Sequence, residues 1–162
     1  MPALESLMER MIRRSFPELA HEAIYIHYDA LDNDFMRYEK LHSGHVIKVD
    51  ESLKRAPASV KKGGIAHELA HIAHERLMDE KVSDMDRQAY RRSKRYRTLD
   101  ERNTDLEVIL RGYGKQLLEF MRYVKAKGYA YDIDHGLALK EVRLLISRRP
   151  ARHMIAIPAR WR

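Results

Sequence analysis

Two histidines four residues apart, with a glutamate directly after the first, constrain this chain more than any other feature. His67-Glu68-Leu69-Ala70-His71 is an HExxH pattern inside a stretch of helical periodicity. One helical turn separates i from i+4, so both imidazoles stand on the same face. Two neutral imidazoles so placed can grip one Zn²⁺ at about 2.0–2.1 Å each. Glu68 falls on neighbouring surface, where a general base can take a proton from a water held by the ion. A catalytic zinc also needs a third protein ligand and one open position.

Composition narrows the setting. The 162 residues suffice for one domain with a real core, and a single domain over 1–162 is expected, with 151–162 an extended C-terminal tail. Hydrophobic residues make up 44% and charged residues 34%, the profile of a soluble globular protein. There is no cysteine, which excludes a disulfide scaffold, a thiolate nucleophile and any thiolate-ligated zinc. The first residues carry Glu5, Glu9, Arg10, Arg13 and Arg14 and no apolar run, and no stretch approaches a membrane span. A cytoplasmic protein without membrane contact is expected.

The net charge of +7 is localised. Residues 87–97 hold six basic side chains and no acid, and residues 143–162 hold six arginines and no acid. Without these twelve, 19 basic residues face 24 acidic ones. The two basic segments could meet nucleic acid or an acidic partner. The reading favoured is a solvated helix face and a basic tail, because aromatic residues are sparse among them and no nucleic-acid motif accompanies them.

Along the chain, Leu4, Leu7, Met8, Met11 and Ile12 predict an amphipathic helix over 3–14 that stops near Pro17. Residues 23–28, 35–41 and 45–49 predict three strands, a small sheet just ahead of the motif helix. His42 and His45 flank its hairpin turn and read as polar surface. Ser59 is the expected N-cap of the motif helix, which runs to about Met78. Its Gly63 and Gly64 cost helix propensity and imply close packing against a strand. Residues 84–97 predict a basic helical link. Helical periodicity resumes from Leu106 to Val124, with a kink or break at Gly112 and Gly114, and a last helix covers 137–147.

The third ligand is open to several readings. The HExxHxxGxxH form is absent, since His74 stands at its glycine position and Leu77 at its third histidine. Of the other histidines, His135 falls in a turn and His153 in the tail, and His74 and His153 are next in line. Glu101 and Asp105 lie four apart on a face shared with Val108 and Ile109. An inward acidic pair is expensive unless it meets cations or a metal. Glu101 can therefore complete a His₂Glu site, with Asp105 accepting the second ring N–H of a ligating histidine. The competing reading is a capping box, Thr98-x-x-Glu101, which explains Glu101 but not Asp105.

With His67-Glu68-Leu69-Ala70-His71 followed by Glu101-Arg102-Asn103-Thr104-Asp105, residues 22–125 resemble the gluzincin zinc metallopeptidases. These pair HExxH with a downstream glutamate helix reading ExxxD, a small hydroxyl residue preceding the aspartate, as Thr104 does here. The short chain is similar to their minimal members, the minigluzincins. The resemblance implies an α+β, zincin-like fold: a small mixed sheet over the active-site helix, then a glutamate helix and further C-terminal helices. It implies one Zn²⁺ per chain held by His67, His71 and Glu101, with Glu68 as catalytic base and Asp105 orienting a ligand. The basic stretch 84–97 lengthens the link between the two motifs. The family's transition-state-stabilising Tyr or His has no motif; Tyr113, Tyr131, His135 and His153 are the candidates.

The expected activity is zinc-dependent hydrolysis of peptide bonds in a peptide or protein substrate, with strand 44–50 as an edge that pairs with it. Two alternatives stand beside it. One is a regulatory protein similar to the anti-repressor (ImmA/IrrE-like) group, although no helix-turn-helix is evident. The other is a non-enzymatic zinc or nucleic-acid binder. A further expectation is that the Pro-interrupted tail Ala151–Arg162 lies in the cleft and keeps the enzyme latent.

Overall fold

A computed structural model of the chain describes residues 4–32, 34–128 and 136–148. Tyr131, His135, His153 and the tail 151–162, with the latency expected of it, lie outside the described residues. Within them the fold is α+β: a mixed three-stranded sheet followed by five helices.

The motif helix α2, Ala58–Glu75, is the centre of the packing. Buried residues occur around its whole circumference, five of them small (Gly63, Gly64, Ala66, Ala70 and Ala73), so other elements pack on it from several sides. Its N-cap is Pro57, without a side-chain cap bond, rather than the expected Ser59. Proline presets φ for helix entry, and Ser59 is already inside the first turn.

The strands are β1 (Ile24–Asp29), β2 (Met36–Leu41) and β3 (Gly44–Asp50), in the order β1-β3-β2. β1 runs parallel to β3, with Ile26 opposite Ile47; β2 runs antiparallel to it, with Tyr38 opposite Ile47. Strand 44–50 is therefore the central strand, contrary to its expected place at the edge. It is the most apolar of the three, with Val46, Ile47 and Val49 buried, and burial on both flanks suits it to the middle. His45 is also buried rather than exposed in the turn. The edge strands are β1 and β2, and it is the β2 edge that faces Glu68 of α2. Helix α1, Leu4–Ser15, places Leu7, Met8, Met11 and Ile12 in the core as its periodicity predicts.

The basic link is two helices meeting at a corner. α3, Glu80–Arg92, is capped by Asp79, whose side chain accepts from Val82 N–H. α4, Lys94–Val108, is capped by Ser93, which accepts from Tyr96 N–H at 3.1 Å. Ser93 has extended backbone (φ −117°, ψ 110°), and this breaks one helix from the other. Thr98 thus lies inside α4, and the Thr98/Glu101 capping box does not form. α4 ends in a kinked turn at Ile109–Tyr113, which leads into α5, Gly114–Ala126; α6 covers Leu139–Arg148. None of the described helices is long and apolar enough to cross a membrane.

α2 and α5 touch at their backbones. A Cβ on Gly63 would stand 2.7 Å from the Gln116 carbonyl carbon and 2.8 Å from Phe120 Cβ. The close approach at Gly63 is thus to a helix; Gly64 meets the Met36 side chain of β2. Propensity alone predicts that Gly63→Ala stabilises the helix by about 1 kcal/mol. The contact predicts the opposite sign, a loss of about 1–3 kcal/mol from overpacking against backbone that cannot yield. A fall in the urea unfolding midpoint of Gly63→Ala is the expected result.

Candidate metal centre

One turn of α2 and one turn of α4 meet in a cluster of three donors, His67, His71 and Glu101. His67 Nε2 is 3.1 Å from His71 Nε2 and 3.0 Å from Glu101 Oε2, and His71 Nε2 is 3.6 Å from Glu101 Oε1. Bonds of about 2.0–2.1 Å in tetrahedral geometry separate donor atoms by about 3.3–3.4 Å. The observed spacings bracket that value, so the three residues could hold one metal ion. Two imidazole nitrogens 3.1 Å apart also cannot both carry a hydrogen toward each other, which favours a shared cation between them.

Each donor is held from behind. Asp105 Oδ1 lies 3.0 Å from His67 Nδ1, the far ring nitrogen. Its other oxygen accepts from Leu137 N–H at 2.8 Å. His71 Nδ1 faces Thr104 Oγ1 at 3.4 Å and Asp100 Oδ2 at 3.6 Å, while its ring stacks on Tyr38 with centroids 5.7 Å apart. Tyr90 on α3 donates its hydroxyl to Glu101 Oε1. Burial, then the Glu101 charge, push the Tyr90 pKa well above its ordinary value, so the proton stays on the donor.

Charge explains why these groups tolerate the interior. Asp105 is 0% exposed and Glu101 8%. Burial pushes Glu101 up, but hydrogen bonds to His67 and His71 outweigh it and hold the carboxyl far below its usual range. Burial likewise would lower the His67 pKa; Asp105 and Glu101 reverse this and hold it well above its ordinary value. The His67 ring thus lies between two carboxylates that favour a proton on it. A metal ion replaces that proton with a larger positive charge.

Glu68 is buried beside this cluster. Its Oε2 accepts Tyr38 N–H of β2 at 3.0 Å. Burial raises its pKa to about 7, with His67 and His71 opposing. The carboxyl lines a cavity of about 580 Å³ shared with His67, His71, Glu101, Tyr38 and Tyr90.

The geometry brings together the expected residues His67, Glu68, His71, Glu101 and Asp105. It takes His74 elsewhere, to Glu107 at 3.7 Å. Tyr113 is also removed from the candidates: it is buried in the core and stacks on Phe16. Tyr90 and Tyr38 border the site without a signal in the sequence. Tyr90 comes within reach of Glu101 only through the α3–α4 corner, and Tyr38 only because β2 is the edge strand. Compared with family models, curated proteins and solved structures, the chain matches none. The resemblance noted above therefore rests on the residues of this site.

Asp105 depends on a turn. Gly136 adopts φ 116°, a conformation L side chains rarely take, and a Cβ there would collide with Asp105 Oδ2. The protein is expected to bind about one divalent ion per chain, and Glu101→Ala to retain none through gel filtration. Asp105→Asn and Gly136→Ala are expected to lower metal affinity about 10–100-fold in a competition with a chromophoric chelator. Undiminished affinity in both would show that the carboxylate behind His67 is dispensable.

Proposed function

We propose that this chain is a gluzincin-type, zinc-dependent peptidase. The observation that carries the reading is Glu68: a buried carboxylate at the mouth of a His₂Glu donor set, pinned by the edge strand beside the cavity. A donor set of two imidazoles and one carboxylate, on a chain without cysteine, favours zinc. When bound, the ion supplies Lewis acidity, lowering the pKa of a water toward about 7 and polarising a carbonyl.

The chain's own residues supply the rest. His67, His71 and Glu101 fix the ion, and Asp105 fixes the tautomer of His67 so that Nε2 is the free donor. Glu68 accepts the proton of the attacking water and returns it to the leaving amine. β2 receives the substrate. Tyr38 N–H points away from β3, so by the alternation of an antiparallel ladder the main-chain groups of Met36 and Lys40 point the same way. An extended peptide can add to that edge and lie across the donor set. Tyr90, with its retained proton beside Glu101, is the best-placed hydroxyl for a developing oxyanion.

The test compares wild type with Glu68→Gln at matched zinc content. The variant is expected to keep its metal and lose about 10²–10⁴-fold in peptide hydrolysis. Full activity in the variant would sink the assignment, as would an inert wild type loaded with stoichiometric zinc.

A further inference from the structure

The basic side chains of 87–97 have no part in the chemistry above, yet they do not form a single solvent-facing stripe. Arg87, Arg91 and Arg97 line the same cavity as the donor set, along the wall made by α3 and the start of α4. Their pairing differs. Arg87 is bound to Asp84 and lies 3.4 Å from Glu75. Arg91 has no hydrogen-bond or ion-pair partner for its side chain among the described residues. Arg97 donates Nε to Tyr90 O at 3.2 Å and Nη2 to Arg91 O at 3.4 Å, both neutral carbonyls.

The acids of the same cavity are already engaged; Glu68 accepts Tyr38 N–H and Asp34 accepts Phe35 N–H. Glu101 belongs to the donor set, Asp100 faces His71, and Asp86 accepts the Tyr96 hydroxyl. Glu75 takes Ser83 Oγ at 2.6 Å and Lys40 Nζ at 3.2 Å. Arg97 and Arg91 thus have no carboxylate partner among the described residues, and both line the wall made by α3 and the start of α4. A single ring sets the distance of Arg97 from the chemistry. The guanidinium of Arg97 lies over the Tyr90 ring, 5.4 Å from its centroid, while the hydroxyl of that ring reaches Glu101.

We propose that Arg97, assisted by Arg91 at the rim, forms a carboxylate-binding subsite that directs this cavity to acidic peptides. The subsite rests on the peptidase reading for its role, and its ligand is a carboxylate from either of two sources: an Asp or Glu side chain, or the C-terminal carboxylate of the peptide. A guanidinium fork half-shielded by a cavity wall binds such a group through paired, charge-assisted hydrogen bonds. It also offsets the negative charge that Glu68, Asp100 and Glu101 present to an incoming acidic chain.

The test uses zinc-loaded protein and short fluorescein-labelled peptides. In one set a single Glu, or Gln as its isostere, is walked along a neutral sequence with an amidated C-terminus. In a second set the neutral peptide carries a free or an amidated terminus. Affinity is read on Glu68→Gln protein by fluorescence anisotropy, and kcat/KM on wild type. At one position, or at the free terminus, the carboxylate is expected to gain at least about 10-fold over its neutral counterpart. Arg97→Gln is expected to bring that ratio close to one with zinc content unchanged. Arg97→Lys is expected to keep part of the ratio, since it holds the charge and loses the fork. Because Arg97 also ties down the end of α3, Arg91→Gln serves as the second variant, and a partial fall in the ratio is expected from it.

Equal handling of carboxylate and neutral peptides overturns the subsite, as does a preference that survives both Arg97→Gln and Arg91→Gln. Arginine-dependent binding of a short oligonucleotide in place of any peptide overturns it too. Hydrolysis without preference removes the subsite and leaves the peptidase. Preferential binding without hydrolysis by wild type removes the peptidase and leaves the subsite.

Discussion

The structure depends on one electrostatic requirement: two carboxylates of α4, Glu101 and Asp105, are taken out of water and must meet positive charge. A lone buried carboxylate costs several kcal/mol, and it is retained only when paired and hydrogen-bonded. His67 stands between them, 3.0 Å from each. That arrangement sets the rotation of α4 about its axis and its position beside α2. It also recruits the turn before α6, whose Leu137 N–H satisfies the second oxygen of Asp105. Arg102, on the same helix, reaches Glu141 with two hydrogen bonds of 2.8 and 3.0 Å and ties α6 to α4. The donor cluster and the docking of the last helix are thus one network.

The opposite wall follows a second, polar cross-link. Glu75, one turn beyond His71, draws Ser83 of α3 and Lys40 of β2 to the end of α2. This closes α3 over the cavity and leaves the sheet edge open beside it. Glu68 is bonded to that edge through Tyr38 N–H, so base and strand are in fixed relation before any ligand arrives. Preorganisation of this kind suits the proposed hydrolysis, because the base need not be positioned at the moment of reaction. The same closure brings Arg87, Arg91 and Arg97 to the lining of the cavity that His67, His71 and Glu101 also line.

Much of the site was legible in the sequence because its parts are local. The i, i+4 spacing places His67 with His71 and Glu101 with Asp105 on any helix, wherever the helices go. Acids on an otherwise apolar face announce a buried cation in the same way. The three strands and the helix of the N-terminus were legible from periodicity, with ends differing by a residue or two. What was misread depended on neighbours far along the chain. Residues 44–50 looked like an edge strand, but strand order is set by which partner covers the most apolar segment, and spacing does not encode that. The capping box at Thr98 and Glu101 matched the pattern, yet Ser93 starts the helix earlier and leaves Glu101 free to point inward.

The sequence by itself thus determined the donor types, their pairing on two helices and the α+β class, since each follows from local periodicity and side-chain chemistry. Only the tertiary structure decided that the two helical faces meet within bonding distance of one ion, and that His74 and Tyr113 are excluded. It likewise decided that Tyr38 and Tyr90 border the centre and that arginines 91 and 97 share its cavity. These are contacts between segments as far as 97 residues apart (Phe16 and Tyr113), and they are set by the packing of α2 between sheet and helices, where close approach at Gly63 and the neutralisation of buried charge leave one arrangement.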